Sequence, residues 1–570
     1  MNLFLIDAIG PFFRDDARYK INWSKIPFDQ LKLDEPERTR LFDRIRKDFD
    51  VFCRRVAEIG YNAISLDDLA HLADHEWIEP QIRDRIAIFR EEFSKLFTIA
   101  ENHKLQVYLT TDIVSYTPAL KERLGADPTK TNTFVRNLID EFLQDFPQVA
   151  GLILRIGETD GLDVEGDFNS ELHLKTPATV NAFLRELLPV FEHHDRKLIF
   201  RTWTVGAYRV GDLMWHRRTF ARALKEIESH AIIVSMKYGE SDFFRYLPLN
   251  ANFFRTQLPT IVELQTRREY EGCGEYPSFV GWDYEHFARD LKQAPNLVGI
   301  CVWCQTGGWH PFRRLAYIGE GSPWTEINTF VTLRVFRDGI PVEDALKACL
   351  PDAGQSHLLE FFRLADEVIK QLLYVEEFAQ QKLFFRRVRI PTLLGVYWNN
   401  IFVNHSLRKL MRHFVSDPED CIRAGRSALG KIDEMKTLAA EANLPVEDIE
   451  FMQNTFQILA LAREYFFRPY DDEIRRRLKK AKKKYKKAYP KSLRPRYAIR
   501  LDFQPFHMRR RFLNWSLAVA LRRRRGYRVI DSIFTIHFLS LVYHAIRTTR
   551  PKWIPKFARK SAMGIDTVFR

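Results

Sequence analysis

Residues 231–242 read Ala231-Ile-Ile-Val-Ser-Met-Lys237-Tyr-Gly239-Glu-Ser-Asp242, and residues 259–272 read Pro259-Thr-Ile-Val-Glu263-Leu-Gln265-Thr-Arg-Arg-Glu269-Tyr270-Glu-Gly272. Each stretch opens as a β-branched apolar run and turns to charged and amide side chains within a few residues. Such runs favour strands. In a parallel barrel the C-terminal ends of strands are where catalytic groups sit. Working outward, the same kind of run recurs at Leu3–Ile9, Ala63–Leu66, Leu105–Leu109, Gly151–Ile156, Leu198–Phe200 and Val298–Val302, which with the two quoted segments makes eight before residue 310. Between them lie stretches with apolar residues at helical spacing, such as Arg38–Glu58 (Leu41, Phe42, Ile45, Phe49, Phe52) and Thr179–His194. Strands alternating with helices predict βαβ units, and eight of them predict a (β/α)8 TIM barrel.

Three regions are expected: a barrel of catalytic type over 1–325, an α-helical domain over 326–470, and a basic amphipathic tail over 471–570. The second rests on Leu and Phe at three-to-four spacing, as in His357–Leu373 and Thr455–Phe466. The third rests on charge. The chain carries +14 overall, yet residues 475–570 hold 29 Lys+Arg against Asp502, Asp531 and Asp566, so the body before them is acidic. Residues 475–500 alone contain 14 basic residues and no acid. Farther on, Arg509–Arg511 and Arg522–Arg525 alternate with apolar runs, among them Val529–Ile546, in which Asp531, His537 and His544 argue against a spanning helix. The pattern predicts docking on an anionic membrane surface, or, alternatively, a helix packed on the preceding domain with its charges solvated. Nucleic acid binding rests on electrostatics alone, since no helix-turn-helix, finger or RNA-binding motif accompanies the charge.

The six cysteines are scattered and form no disulfide framework. Cys301-Val-Trp-Cys304 has the CxxC form, but strand alternation sends its thiols to opposite faces. Leu3–Ile9 lacks the basic flank and cleavage site of a signal peptide and reads as a strand. These features predict a reducing, cytoplasmic setting, with the tail at the inner membrane face. No HExxH, paired CxxC, P-loop or GxGxxG is present, so no metal or cofactor is expected.

The groups at strand ends suit glycoside hydrolysis, which needs one carboxyl to protonate the leaving oxygen and another as base or nucleophile. Asp242 and Glu269 follow neighbouring strands, and Glu158 or Asp160 follows the fourth. Arg155, Arg201 and Lys237 end strands four, five and six and suit an acidic sugar's carboxylate. Trp203, Trp303, Trp309 and His310 offer stacking faces, and Asp67, Asp68 and Asp112 offer acceptors for hydroxyls.

The quoted segments resemble the family 67 glycoside hydrolases, the α-glucuronidases. In that family a strand ending Lys-x-Gly-x-x-Asp-Phe precedes one ending Gln-x-x-x-Glu-Tyr-x-Gly; here these are Lys237, Gly239, Asp242 and Phe243, then Gln265, Glu269, Tyr270 and Gly272. The resemblance spans roughly 52–310. It implies an inverting reaction in which Asp242 and Glu269 share the base role, substrate contacts from Gln265 and Tyr270, and basic positions at Arg155 and Lys237. It also implies a matching Arg201-Thr-Trp203 segment and a helical domain behind the barrel. The family's acid follows strand four in an Asp, Ser, Glu order; here Glu158 comes one position early and Asp160 one late, and Glu158 is preferred because it reaches the pocket directly from the strand. The family's β-rich domain ahead of the barrel has no counterpart before Leu3. The expected function is therefore hydrolysis of a linkage to a uronic-acid-like sugar. The alternative is a non-hydrolytic carbohydrate-binding or assembly protein held at the inner membrane by its tail. The oligomeric state is left open.

Overall fold

The computed structural model describes residues 1–9, 11–13, 26–156, 166–204, 208–305, 323–349, 355–385, 388–390, 396–397, 400–492 and 496–503, with isolated positions at 511, 515, 521–522 and 541. Eight strands are fully or largely buried along their length: β1 (Leu3–Asp7), β2 (Ala63–Asp67), β3 (Gln106–Asp112), β4 (Val149–Arg155), β5 (Lys197–Arg201), β6 (Ile232–Lys237), β7 (Thr260–Gln265) and β8 (Leu297–Trp303). Strands covered on both faces need continuous apolar runs, which these sequences supply. They pair in parallel and in sequence order, and the sheet closes when β1 meets β8, with Leu5 opposite Cys301 and opposite Ala63 on its other side. Gly299 makes the closing approach possible: a Cβ there would lie 1.9 Å from the Leu3 carbonyl oxygen. Asp7, at the end of β1, then accepts from the backbone N–H of Cys304 at 2.6 Å and of Gln305 at 3.2 Å, just past β8.

Amphipathic helices wrap the barrel. They include α1 (Glu37–Ile59), α2 (Pro80–Asn102), α3 (Pro128–Asp145), α4 (Pro177–His193) and α5 (Gly281–Leu291). Helix α1 buries Leu41, Phe42, Ile45, Phe49 and Phe52, the stripe its sequence predicts. Helices α3 and α4 begin where the side chains of Asp127 and Thr176 accept orphan backbone N–H groups.

Helix α6 (Pro323–Leu333) leads to a largely helical region built on α7 (Gln355–Leu373), α8 (Pro418–Glu441) and α9 (Val446–Phe467). Helix α9 is buried nearly all round. The stretch between α7 and α8 departs from the helical expectation. It forms an antiparallel pair at Lys382–Phe385 and Val388–Ile390, and a strand β9 (Asn400–Asn404) that later pairs in parallel with β10 (Ala498–Asp502). Pro391 and Gly395 disfavour a helix through this part of the sequence, and the clustered Val, Ile, Phe and Tyr residues favour extended backbone.

The basic segment begins as a helix, α10 (Asp472–Ala488), capped by Asp471 and packed on α9 through Ile474, Leu478 and Tyr485, which are buried. Its cations face solvent except for Lys482, which is partly buried. Among the described residues no helix is long and apolar enough to cross a membrane. The run 529–546 lies outside the described residues except for position 541.

Candidate active site

The C-terminal ends of the strands carry charged residues in interlocking pairs, and three of these pairs define the mouth of the barrel. On one side, Arg155 of β4 meets Asp112 of β3 at 3.0 Å, and the Ser170 hydroxyl donates to the same carboxylate at 2.6 Å. Burial opposes the Arg155 charge, but Asp112, Asp67 and Asp68 more than offset this and hold its pKa above the usual arginine value. Asp67 and Asp68 are buried at the end of β2, and the Thr111 hydroxyl donates to Asp68 at 2.8 Å.

Arg201 of β5 forms the second pair. Its Nε lies 3.0 Å from both carboxylate oxygens of Glu263, and Nη2 lies 2.9 Å from Oε2. Glu263 also accepts from the Ser235 hydroxyl at 2.7 Å and from the Trp303 indole at 3.1 Å. The Trp303 ring covers the guanidinium at 4.7 Å. Burial alone would raise the Glu263 pKa; the Arg201 charge outweighs this and lowers it. This pair therefore forms a floor, with Arg201 directed at Glu263 and Trp303 buried over it.

The third pair is more open. Lys237 of β6 donates to Asp242 Oδ1 at 2.6 Å, and its ammonium lies 3.7 Å above the Trp203 ring. Asp242 also accepts from the Phe243 backbone at 2.9 Å and from the Tyr270 hydroxyl at 2.7 Å. Its side chain keeps 15% of its surface exposed, against 3% for Lys237. Burial pushes the Asp242 pKa up, but the Lys237 charge and the three donors bring it below the ordinary carboxylate range. Burial draws the Lys237 pKa down, with the Asp242 charge opposing.

Glu269 and Tyr270 are placed by the loop after β7. The Gln265 side-chain oxygen accepts from the Glu269 backbone at 2.9 Å, and its amide nitrogen donates to the Glu269 carboxylate at 3.3 Å. Gln265 is itself fixed by the Tyr284 hydroxyl, which bonds both its backbone groups. The Tyr270 ring stacks on Phe244 at 4.1 Å. Gly272 turns the loop at φ +95°, where a Cβ would also meet the Tyr276 ring at 2.5 Å. Beneath Tyr270, Glu271 is buried between the Arg245 and Arg268 guanidiniums and accepts from the Tyr374 hydroxyl of the helical region at 2.7 Å.

The structure thus brings Asp67, Asp112, Arg155, Arg201, Trp203, Lys237, Asp242, Gln265, Glu269, Tyr270 and Trp303 to one end of the barrel. Glu158, Asp160, Trp309 and His310 lie outside the described residues. Sequence reasoning passed over Glu263, Ser235, Ser170 and Asp7. A lone acid inside a strand buried on both faces was the available signal for Glu263, since such a group persists only with a partner. Cys301 and Cys304 are both buried free thiols, with the Cys304 thiol 3.5 Å from the Asp7 carbonyl oxygen. Among the described residues no cluster of His, Cys, Asp and Glu could hold a metal ion.

No family model and no curated protein matches the chain. Solved structures do resemble it. A GH138 enzyme targeting pectin rhamnogalacturonan II superposes with a TM-score of 0.50 at 12% identity, covering 82% of this chain. The match spans 57% of that enzyme, a little over half its length. CpGH84B gives a TM-score of 0.37 at 11% identity over 79% of this chain and 69% of its own. A β-mannanase from the blue mussel Mytilus edulis gives 0.35 at 10% identity over 60% of this chain and 94% of its own. The closed parallel sheet and the superposition with the GH138 enzyme agree: the chain has the (β/α)8 fold on which that glycoside hydrolase is built.

Proposed function

We propose that the barrel mouth is the active site of a glycoside hydrolase that cleaves a linkage to an acidic, uronic-acid-like sugar with inversion. The observation that carries this reading is the state of Asp242: a partly open carboxylate at a strand end, kept ionised by Lys237 and by the Tyr270 hydroxyl. A carboxylate held below its ordinary pKa stays ionised at a pH where a second, less favourably placed carboxyl is still protonated. That division is what acid and base roles require. Asp242 would take the proton from the attacking water, and Glu269, on the neighbouring strand's loop, would share in orienting it. The acid would come from Glu158, with the roughly 6.5–9.5 Å between carboxyls that an inverting reaction needs.

The acidic-sugar preference rests on Lys237. An ammonium has three donors, and one of Lys237's goes to Asp242 while its charge lies over Trp203, the half-buried ring that would stack on the sugar. The recognition reading is favoured by a different observation, namely that Arg155, Arg201 and Lys237 each already hold a protein carboxylate.

The deciding experiment is hydrolysis of aryl glycosides and uronic-acid oligosaccharides, rhamnogalacturonan fragments included, by wild type and Asp242→Asn, with the product anomer followed by NMR. Turnover that inverts and is lost in the variant supports the hydrolase. Binding of acidic oligosaccharides without any turnover supports the recognition protein.

A further inference from the structure

Helix α10 carries a row of cations that the barrel's chemistry does not use. Its apolar face is already spent, because Ile474, Leu478 and Tyr485 are buried against α9, the Thr455 hydroxyl reaches the Tyr485 hydroxyl at 3.3 Å, and the Tyr497 backbone N–H does the same at 3.3 Å. The acids of the first turn pair locally, Asp472 with Arg475 and Glu473 with Arg476, while Glu464 takes Arg477. Beyond that turn, Lys479, Lys480, Lys483, Lys484, Lys486 and Lys487 are exposed, and none of them forms an ion pair among the described residues.

One flank is more built than the rest. Lys482 is partly buried, with Lys486 one turn along the same helix face and Arg500 on the adjoining strand β10. Arg500 is steadied by Asn400, whose side-chain oxygen accepts from its Nε at 3.3 Å. Burial, then the Lys486 and Arg500 charges, lowers the Lys482 pKa. The Lys486 and Arg500 charges oppose that of Lys482, and a bound anion would remove that cost.

The helix also stands on the mouth side of the barrel. Tyr485 packs on Phe451 at 6.3 Å between ring centres, and Phe451 packs on Tyr276 at 5.7 Å. Tyr276 belongs to the loop after β7 that carries Glu269 and Tyr270. Two ring contacts thus link the helix that carries the row to the loop bordering the mouth, and a long acidic polymer with one sugar in the barrel would extend past that loop. Successive charges along such a row rise about 4.5–6 Å per turn, the scale of one sugar unit.

We infer that the Lys482, Lys486 and Arg500 cluster and the lysine row beside it form an auxiliary binding ridge for a polyanionic glycan whose end enters the barrel mouth. The inference rests on the hydrolase reading for the identity of its partner. A membrane is disfavoured because α10 has no apolar face left to insert, which leaves only the salt-screened attraction of its charges to an anionic surface. Single-stranded nucleic acid is disfavoured because the ridge itself exposes no aromatic ring for bases to stack on.

The test uses the full chain and a variant carrying Lys482→Gln, Lys486→Gln and Arg500→Gln, with an unchanged melting temperature as the check on folding. Binding is measured to polygalacturonate, neutral dextran, a single-stranded oligonucleotide and phosphatidylserine vesicles at low and moderate salt. Salt-sensitive binding to polygalacturonate, weakened about tenfold or more in the variant, is expected. The KM for the polymer should rise in step while that for a short aryl uronide stays put. Equal polygalacturonate binding by both proteins overturns the inference, as does tighter, variant-sensitive binding to vesicles or oligonucleotide. If nothing is hydrolysed, the hydrolase reading fails and the binding comparison still decides the ridge.

Discussion

Asp242 sets the expected pH behaviour of the site. Its folded-state pKa lies below the unfolded value, so its ion pair stabilises the protein fully above about pH 4 and is lost as pH falls through the folded value. Under the hydrolase reading, Asp242→Asn lowers kcat about 10²–10⁴-fold, measured on the best substrate of the panel. Tyr270→Phe removes one donor to the ionised form and moves the acidic limb of kcat/KM to higher pH; an unmoved limb would detach Asp242 from the rate. Lys237→Met should move it farther in the same direction, because the burial that raises the Asp242 pKa then acts unopposed. These residues were visible in the sequence because each follows an apolar run by a few positions. Glu263 was hidden by sitting inside its run, where a reader counting strand residues passes over a single acid. Its role as the counter-ion of Arg201 is a fact of register between β5 and β7, separated by β6, and no local pattern encodes it.

At the scale of elements, the loop after β7 is the piece that joins chemistry to architecture. Tyr270 points to Asp242 while its neighbour Glu271 is gripped by Arg245, Arg268 and Tyr374. Glu271→Gln leaves the buried Arg268 guanidinium without its carboxylate and Arg245 with Asp283 and Asp366, and is expected to cost about 3–5 kcal/mol by urea unfolding. Tyr374→Phe should cost less, about 1–3 kcal/mol. A loss under about 1 kcal/mol for Glu271→Gln would show that Arg268 finds another partner. Glu271 is held far below its unfolded pKa, mainly by Arg245 against the opposing effect of burial. The stability it supplies is therefore present above about pH 4 and drains as pH falls toward the folded value, so the variant should lose stability less steeply in acid than wild type. The strands and helices around this loop were legible because burial on both faces, or along one stripe, leaves a period in the sequence. Even the three-residue run at Leu198–Phe200 extends to a strand, Lys197–Arg201. The strands between α7 and α8 were masked by the Leu and Phe periodicity of the helices on either side, and only Pro391, Gly395 and the β-branched and aromatic cluster around them signalled the change.

For the whole molecule, the barrel and the helical region share buried polar contacts. Trp324 of α6 donates to Asp448 of α9 at 3.0 Å, Arg245 binds Asp366 of α7, and the Tyr276 ring lies among Phe451, Phe456 and Tyr497. Tryptophan fluorescence and far-UV circular dichroism should therefore report one coincident unfolding transition. Trp324→Phe, which strands the buried Asp448 carboxylate without that donor, should lower stability by about 1–3 kcal/mol and begin to separate the two signals. The closure of the barrel has a temporal side. Strand β1 is flanked by β2 and by β8, and the groups that Asp7 captures, the N–H groups of Cys304 and Gln305, are made some three hundred residues later. At ribosomal speeds of about 5–20 residues per second, β1 waits on the order of 15–60 s with one edge uncovered. The nascent chain is thus most exposed to mispairing and to chaperone capture before the ribosome has delivered β8, and slowing translation ahead of residue 297 would lengthen that interval.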